Sequence, residues 1–228
     1  MEFIFMLTRR DQTVEDARQI LDMAVTTGVR RIGFKDVGAS RDALQSLVDA
    51  IRDAGATSYM EVVSTTDDAV RRSMATARAI GVDYVLGSQD LALAREMLED
   101  GLARFCPFPG RPRGHPTVLD GTPEDVARDC RAFAEAGCAG VDLLAYRATQ
   151  ADPLELVKAA RANLPGRELI VAGSVDSPAR IHALAEAGAD AFTIGSAIFD
   201  GSFSPTKGSF ISQLQDVLEA CATAPRAA

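Results

Sequence analysis

The run Glu168-Leu169-Ile170-Val171-Ala172-Gly173-Ser174-Val175 is followed one helix later by Ala191-Phe192-Thr193-Ile194-Gly195-Ser196-Ala197. Each is an apolar, strand-length segment that closes on Gly-Ser and precedes a helical pattern. Small residues at such a joint let ligand oxygens approach the backbone N–H groups. The helix start behind them adds partial positive charge. Alone, either Gly-Ser reads as a tight strand-to-helix turn. The pair, on consecutive strands late in the chain, matches what a barrel of parallel strands needs to hold one phosphate group on Gly173, Ser174, Gly195 and Ser196.

The same unit recurs upstream: an amphipathic helix, a glycine beside Ala or Val, then an apolar strand. It shows at TTGVRRIGFKD (26–36), DAGATSYMEVV (53–63), AIGVDYVLGS (79–88), EDGLARFCPF (99–108), EAGCAGVDLLAY (135–146) and EAGADAFTIGS (186–196). Glycine after the last helical turn is a C-cap, and short all-apolar strands suit a parallel sheet buried on both faces. The pattern predicts strands near 3–8, 31–36, 58–63, 83–88, 103–107, 140–146, 168–173 and 191–195. Helices are predicted near 13–27, 41–54, 66–80, 90–100, 122–136, 152–163, 178–187 and 208–222. Thr13 followed by Glu15 and Asp16 reads as a helix start, as do Thr122-Pro123, Asp152-Pro153 and Ser177-Pro178. Strands alternating with helices in this number predict a single-domain α/β fold, a closed (β/α)8 TIM barrel over residues 1–222, with a frayed tail at 223–228. An open doubly wound sheet would want a glycine-rich turn after the first strand, where this chain has Thr8-Arg9-Arg10-Asp11.

Bulk properties narrow the function. The 228 residues carry a formal charge of −8 and no tryptophan, with no basic stripe, so nucleic acid is not an expected partner. The apolar start, MEFIFMLTRRDQ, is too short for a signal peptide or a membrane span. Cys106, Cys130, Cys138 and Cys221 show no paired close spacing. The cytoplasm is therefore the expected compartment, with no membrane partner, disulfide or zinc site. No transition-metal site is expected, while Mg²⁺ on carboxylates is left open. No cofactor is indicated, and a homodimer is left open.

In a barrel, chemistry gathers where strands end and loops begin. Lys35 stands out among only three lysines, the others being Lys158 and Lys207. Strand alternation turns Ile32 and Phe34 outward, and Gly33 and Lys35 into the lumen. A lysine there can shed its proton by desolvation and attack a carbonyl, act as acid or base, or merely neutralise Glu61 or attract phosphate. Glu61 faces inward by the same rule on the neighbouring strand, as a proton-transfer partner or an ion-pair partner of Lys35. Asp142 and Tyr146 face inward on the sixth strand, Asp142 on the far side of a bound ligand or simply as a buried carboxyl satisfied by its neighbours. Asp36 is a weaker alternative. The long loop from Phe108 to Pro116 carries Arg111, Arg113 and His115 and reads as a lid whose arginines and histidine meet an anion. Arg9 and Arg10, after the first strand, add to that field. His182 reads as a surface residue.

With these residues in hand, the chain resembles the ribulose-phosphate-binding barrels, the phosphate-binding group that includes indole-glycerol-phosphate synthase, phosphoribosylanthranilate isomerase and N-acetylmannosamine-6-phosphate epimerase. The resemblance is sharpest over 168–200 and elsewhere is architectural. A lysine ending strand two with Ala-Gly-Ser after strand seven also resembles (5-formylfuran-3-yl)methyl phosphate synthase, a family that uses such a lysine as a Schiff base. The run around Lys35 differs from that family's, and no later strand carries its second lysine. The resemblance implies an aldolase-type lyase acting on a small phosphorylated carbonyl compound. A sugar-phosphate isomerase or epimerase, and a barrel that only binds a phosphorylated metabolite, are the alternatives.

Overall fold

The computed structural model describes residues 1–98 and 104–225. Parallel strands β1 (Glu2–Met6), β2 (Arg31–Lys35), β3 (Thr57–Val62), β4 (Tyr84–Gly87), β5 (Arg104–Cys106), β6 (Gly140–Leu143), β7 (Glu168–Val171) and β8 (Ala191–Ile194) form one eight-stranded sheet in the order β6-β7-β8-β1-β2-β3-β4-β5. The ring closes between β5 and β6. There Ala139 N–H donates to the Phe105 carbonyl and Asp142 N–H to the Pro107 carbonyl, both at 2.9 Å. The fold is the α/β TIM barrel the repeat predicts.

Helices α1 (Ala17–Val25), α2 (Arg41–Asp53), α3 (Asp67–Ile80), α4 (Leu91–Leu98), α5 (Pro123–Glu135), α6 (Pro153–Ala162), α7 (Pro178–Glu186) and α8 (Phe210–Thr223) lie in sequence between or after the strands. Each buries one stripe; in α2 it is Leu44, Leu47, Val48 and Ile51, spaced for one helical face. Thr122 forms a capping box with Asp125 ahead of Pro123, and the Asp152 carboxylate accepts from the N–H groups of Leu154 and Glu155. Ser177 occupies its cap position without a side-chain hydrogen bond.

Alternation along the strands splits the core in two. Ile32, Phe34, Met60, Val62, Val141, Leu143 and Phe192 pack outward beneath the helices. Ile4, Met6, Tyr59, Leu86, Cys106 and Ile170 fill the lumen. A Cβ on Gly33 would strike the Met6 sulfur, so that side chain fills the lumen beside Gly33. All four cysteines are free thiols. No helix among the described residues is long and apolar enough to cross a membrane.

Three segments depart from expectation. Thr13 does not cap a helix: Thr8–Arg9 and Gln12–Thr13 pair as an antiparallel hairpin, and α1 starts at Ala17. The stretch expected as a loop from Phe108 to Pro116 is not open, because Arg111–Arg113 within it pairs with Val118–Asp120 in a second hairpin. Strand six stops at Leu143, and a short 3₁₀ turn, Ala145–Arg147, follows. Residues 99–100 of the expected fourth helix, 103 of the expected fifth strand and 226–228 of the expected tail lie outside the described residues.

Candidate active site

Strand β2 ends on Lys35, and the pairing of β2 with β3 sets it directly beside Glu61. Both are lumen-facing and buried, at 4% and 6% exposure, so their charges need partners. The Lys35 Nζ donates to Asp11 Oδ1 at 2.7 Å and lies 3.3 Å from Glu61 Oε2. Asp11 comes from the first hairpin, where Arg10 and Asp11 both take positive φ, 52° and 60°. That left-handed pair makes the two-residue turn that matches strand twist and carries Asp11 over the mouth. The Thr13 hydroxyl donates to the Lys35 carbonyl, and the Lys35 N–H donates to Thr13 Oγ1, both at 2.9 Å. Hairpin and lysine strand are thus locked together.

A second cation reaches Asp11 from the 3₁₀ turn after β6. Arg147 Nη2 lies 3.3 Å from Asp11 Oδ1, and its Nη1 donates to the Thr117 carbonyl at 3.1 Å. The guanidinium stem passes over Gly173, where any Cβ would collide with it. Gly173 therefore serves two needs, its φ of 78° and this close approach. At the next strand, a Cβ on Gly195 would sit 2.7 Å from the Thr8 carbonyl oxygen. Among the described residues, no protein acceptor takes the N–H groups of Ser174, Ser196 or Ala197.

These parts line one cavity of about 350 Å³, bounded by Asp11, Lys35, Glu61, Arg147, Gly173, Ser174, Thr193, Gly195 and Ser196. An outer chamber of about 690 Å³ shares Asp11, Arg147, Ser174 and Ser196 with it and adds Arg10, Tyr146 and Thr149. Lys35 thus sits at one side of a chamber whose other side presents unused N–H donors beside a guanidinium, an arrangement suited to an oxyanion. Burial presses the Lys35 ammonium toward neutrality, but the carboxylates of Glu61 and Asp11 outweigh it and hold its pKa above the ordinary lysine value. Burial raises Asp11 as well, and Lys35 and Arg147 overcome that, leaving it below the usual carboxylate range. The amine is therefore an ammonium at neutral pH: of the two states expected for it, the ion-pair partner of Glu61 fits and the amine freed by desolvation does not.

Asp142 differs. It is fully buried and does not line the cavity, and neither carboxyl oxygen has a hydrogen-bond partner. Burial first, and the Glu61 charge second, push its pKa well above the ordinary value, which favours the neutral acid. The expectation of a carboxylate facing the far side of a ligand is corrected. Asp142 lies one residue before the end of β6, tied by its N–H to the seam with Pro107, and is sealed below the cavity. The alternative of a carboxyl satisfied by its neighbours also fails.

Other sequence candidates fall elsewhere. Tyr146 is carried off the strand by the 3₁₀ turn and lines the outer chamber, with the Arg180 guanidinium 4.6 Å from its ring. Arg111 pairs with Asp125 at 3.2 Å, Arg113 pairs with Asp120, and His115 is exposed. Neither Arg111 nor His115 lines the cavity, because the second hairpin spends its charges on its own strand partner and on α5. Arg9 also misses the cavity and pairs at 2.6 Å with Asp200, which does line it. Asp36 faces away, accepting from Val63 N–H at 3.0 Å and from the Ser64 and Ser73 hydroxyls at 2.6 Å. His182 bonds the Ala220 carbonyl and Thr223 on α8. Asp11 and Arg147 were missed as contributors. The traces they leave are two β-branched threonines, Thr8 and Thr13, flanking a polar turn, and an arginine just past an inward-facing aspartate. No group of three His, Cys, Asp or Glu among the described residues is arranged to hold a metal ion.

No family model matches the chain, and no curated protein matches it either. Many solved structures do. One described as native KDPGal is 15% identical, with a TM-score of 0.66 over 97% of this chain and 93% of its own. Orotidine 5′-phosphate decarboxylase from Pyrococcus horikoshii is 16% identical, with a TM-score of 0.63 over 96% and 99%. Thiamine phosphate pyrophosphorylase from Pyrococcus furiosus is 11% identical, with a TM-score of 0.67 over 97% and 95%. At these identities the similarity establishes the barrel fold.

Proposed function

We propose that the chain is an enzyme, a lyase of the aldolase type acting on a small phosphorylated carbonyl compound. The observation that carries this reading is one cavity holding both the Lys35 amine, between the carboxylates of Asp11 and Glu61, and unused N–H donors at Ser174, Ser196 and Ala197. Two barrels of similar fold bear names that include a phosphorylated compound, in keeping with an oxyanion at those turns. In the proposed reaction the phosphoryl group takes the N–H donors and the Arg147 side. The carbonyl carbon then lies toward Lys35, which condenses with it to an iminium and expels water. Glu61 takes the proton of the hydroxyl one carbon beyond the adjacent one. The carbon–carbon bond breaks, its electron pair flows into the iminium, and an enamine remains to be reprotonated and hydrolysed. The scheme needs no cofactor.

One observation favours a second reading. Lys35 is held as an ammonium, and an ammonium beside Glu61 stabilises an enediolate without a covalent bond, which is what an isomerase or epimerase requires. Incubating the protein with phosphorylated aldehydes and ketones in D₂O, followed by NMR, separates the readings. Two carbon fragments are expected. Deuterium in an uncleaved substrate assigns the isomerase, and a bound but unchanged ligand overturns catalysis altogether.

A further inference from the structure

We infer that Asp11 is the group through which Lys35 sheds and recovers its proton during imine formation, a role that rests on the lysine-dependent reading above. The turn holding Asp11 takes a form that local stability does not favour. Both central residues are left-handed, a geometry that suits Asn-Gly and costs roughly 1 kcal/mol for each ordinary side chain. Arg10 and Asp11 adopt it regardless, at φ 52° and 60°. The result is a carboxylate 2.7 Å from the only lysine in the lumen. The hairpin is fixed to the lysine strand by the paired Thr13–Lys35 hydrogen bonds and by Thr13 N–H on the Val37 carbonyl at 3.0 Å. Donor and acceptor are thereby held at one distance. Asp11 also borders both chambers, so water released beside it has a way out.

The step balances. The Lys35 ammonium gives a proton to Asp11 Oδ1, and the free amine adds to the carbonyl carbon. The added nitrogen passes one of its protons to the former carbonyl oxygen, giving the neutral carbinolamine, and the protonated Asp11 returns its own proton to that hydroxyl, which leaves as water. Ammonium plus carbonyl becomes iminium plus water, and Asp11 ends as the carboxylate it began as. The charged and titratable groups around Lys35 are Asp11 from the hairpin, Glu61 from β3, Arg147 from the 3₁₀ turn and the neutral Asp142 of β6 below.

A shuttle and a mere counter-ion predict opposite signs. Removing a counter-ion lowers the lysine pKa, so Asp11→Asn would then react faster near neutral pH. Removing a shuttle slows the reaction, since a positioned proton-transfer group is worth about 10²- to 10⁴-fold. The experiment labels the protein with pyridoxal 5′-phosphate and cyanoborohydride, with the Lys35 adduct followed by mass spectrometry from pH 5 to 9. This phosphorylated aldehyde forms an imine whatever the natural substrate is. Asp11→Asn is expected to slow labelling at least about tenfold at pH 7, with Asp11→Glu recovering part of the loss. Labelling of Asp11→Asn as fast as the native protein, or faster with its optimum moved to lower pH, overturns the shuttle. Fast labelling of the native protein and slow labelling of the variant, with no phosphorylated carbonyl cleaved, leaves the shuttle standing and removes the lyase. A native protein that takes no label at Lys35 removes the imine reading and the shuttle with it.

Discussion

The barrel carries an ionic cluster at each end, partly exposed at one and buried around Lys35 and Glu61 at the other, and they do different things. At the N-terminal end, Arg31 donates to the Tyr59 hydroxyl at 2.9 Å and pairs with Glu168 at 3.0 Å and Glu2 at 3.1 Å. Arg104 caps Tyr84 in the same way, and the two phenol rings stack at 4.5 Å. Arg31, Glu2, Glu168 and Arg104 each have a partner, and aromatic rings fill the lumen above them. At the C-terminal end, Lys35, Asp11, Glu61 and Arg147 pair just as closely but border a cavity that also presents unused backbone donors. The inventory of charges is similar. What differs is spare hydrogen-bonding capacity facing open space, which a structural plug removes and a binding site keeps.

That contrast can be broken from the top or the bottom. The largest effect is expected from Lys35→Arg, which keeps the charge and loses the imine-forming amine. Turnover should fall roughly 10³-fold, within the range for loss of a group central to the chemistry, while the thermal midpoint barely moves. At the bottom, Tyr59→Ala should do the reverse. Tyr59 is 1% exposed, and its loss costs about 3–5 kcal/mol in denaturant titrations with kcat/KM intact in the folded fraction. A bottom variant that kills activity while sparing stability would erase the distinction.

Among the described residues, Asp142 alone is buried with side-chain oxygens that have no partner. It stays neutral in the folded protein, whereas in the unfolded chain it ionises above about pH 3.9. The unfolded state therefore binds fewer protons than the folded state above that pH. Stability falls by about 1.4 kcal/mol per pH unit until the raised folded pKa is reached. Asp142→Asn removes this titration, so its stability relative to the native protein should climb as the pH rises above about 4 and level off below that. A difference that stays constant with pH would show that the carboxyl is charged in the fold.

Smaller effects are expected at the oxyanion seat. Gly195→Ala sets a methyl 2.7 Å from the Thr8 carbonyl and should raise KM about tenfold for a phosphorylated substrate, roughly one lost charge-assisted hydrogen bond. An unphosphorylated analogue should be unaffected. Arg111→Ala and His115→Ala should change neither kcat/KM nor the thermal midpoint. A loss of activity there would return the second hairpin to the site.

The barrel was legible because its repeat is written in burial: each strand is an apolar run after a glycine, and alternation alone turned Lys35, Glu61 and Asp142 inward. The Gly-Ser joints showed in the same way. Asp11 and Arg147 did not, because neither lies on a strand and no period governs the direction of a turn. The hairpin at Thr8–Thr13 lacks the Asn-Gly that announces such turns, and Thr13-Val14-Glu15-Asp16 offered a plausible helix cap instead. Arg111 and His115 misled for the converse reason. Charge in a loop was legible, but the partners that consume it, Asp125 and Asp120, were set by a hairpin register that only the fold reveals.

The most direct test is borohydride reduction of the protein in the presence of triose phosphates, followed by peptide mapping, which three lysines make unambiguous. One adduct is expected, on Lys35, lost when inorganic phosphate is added in excess. Turnover with no adduct, persisting in Lys35→Arg, would overturn imine chemistry at this lysine.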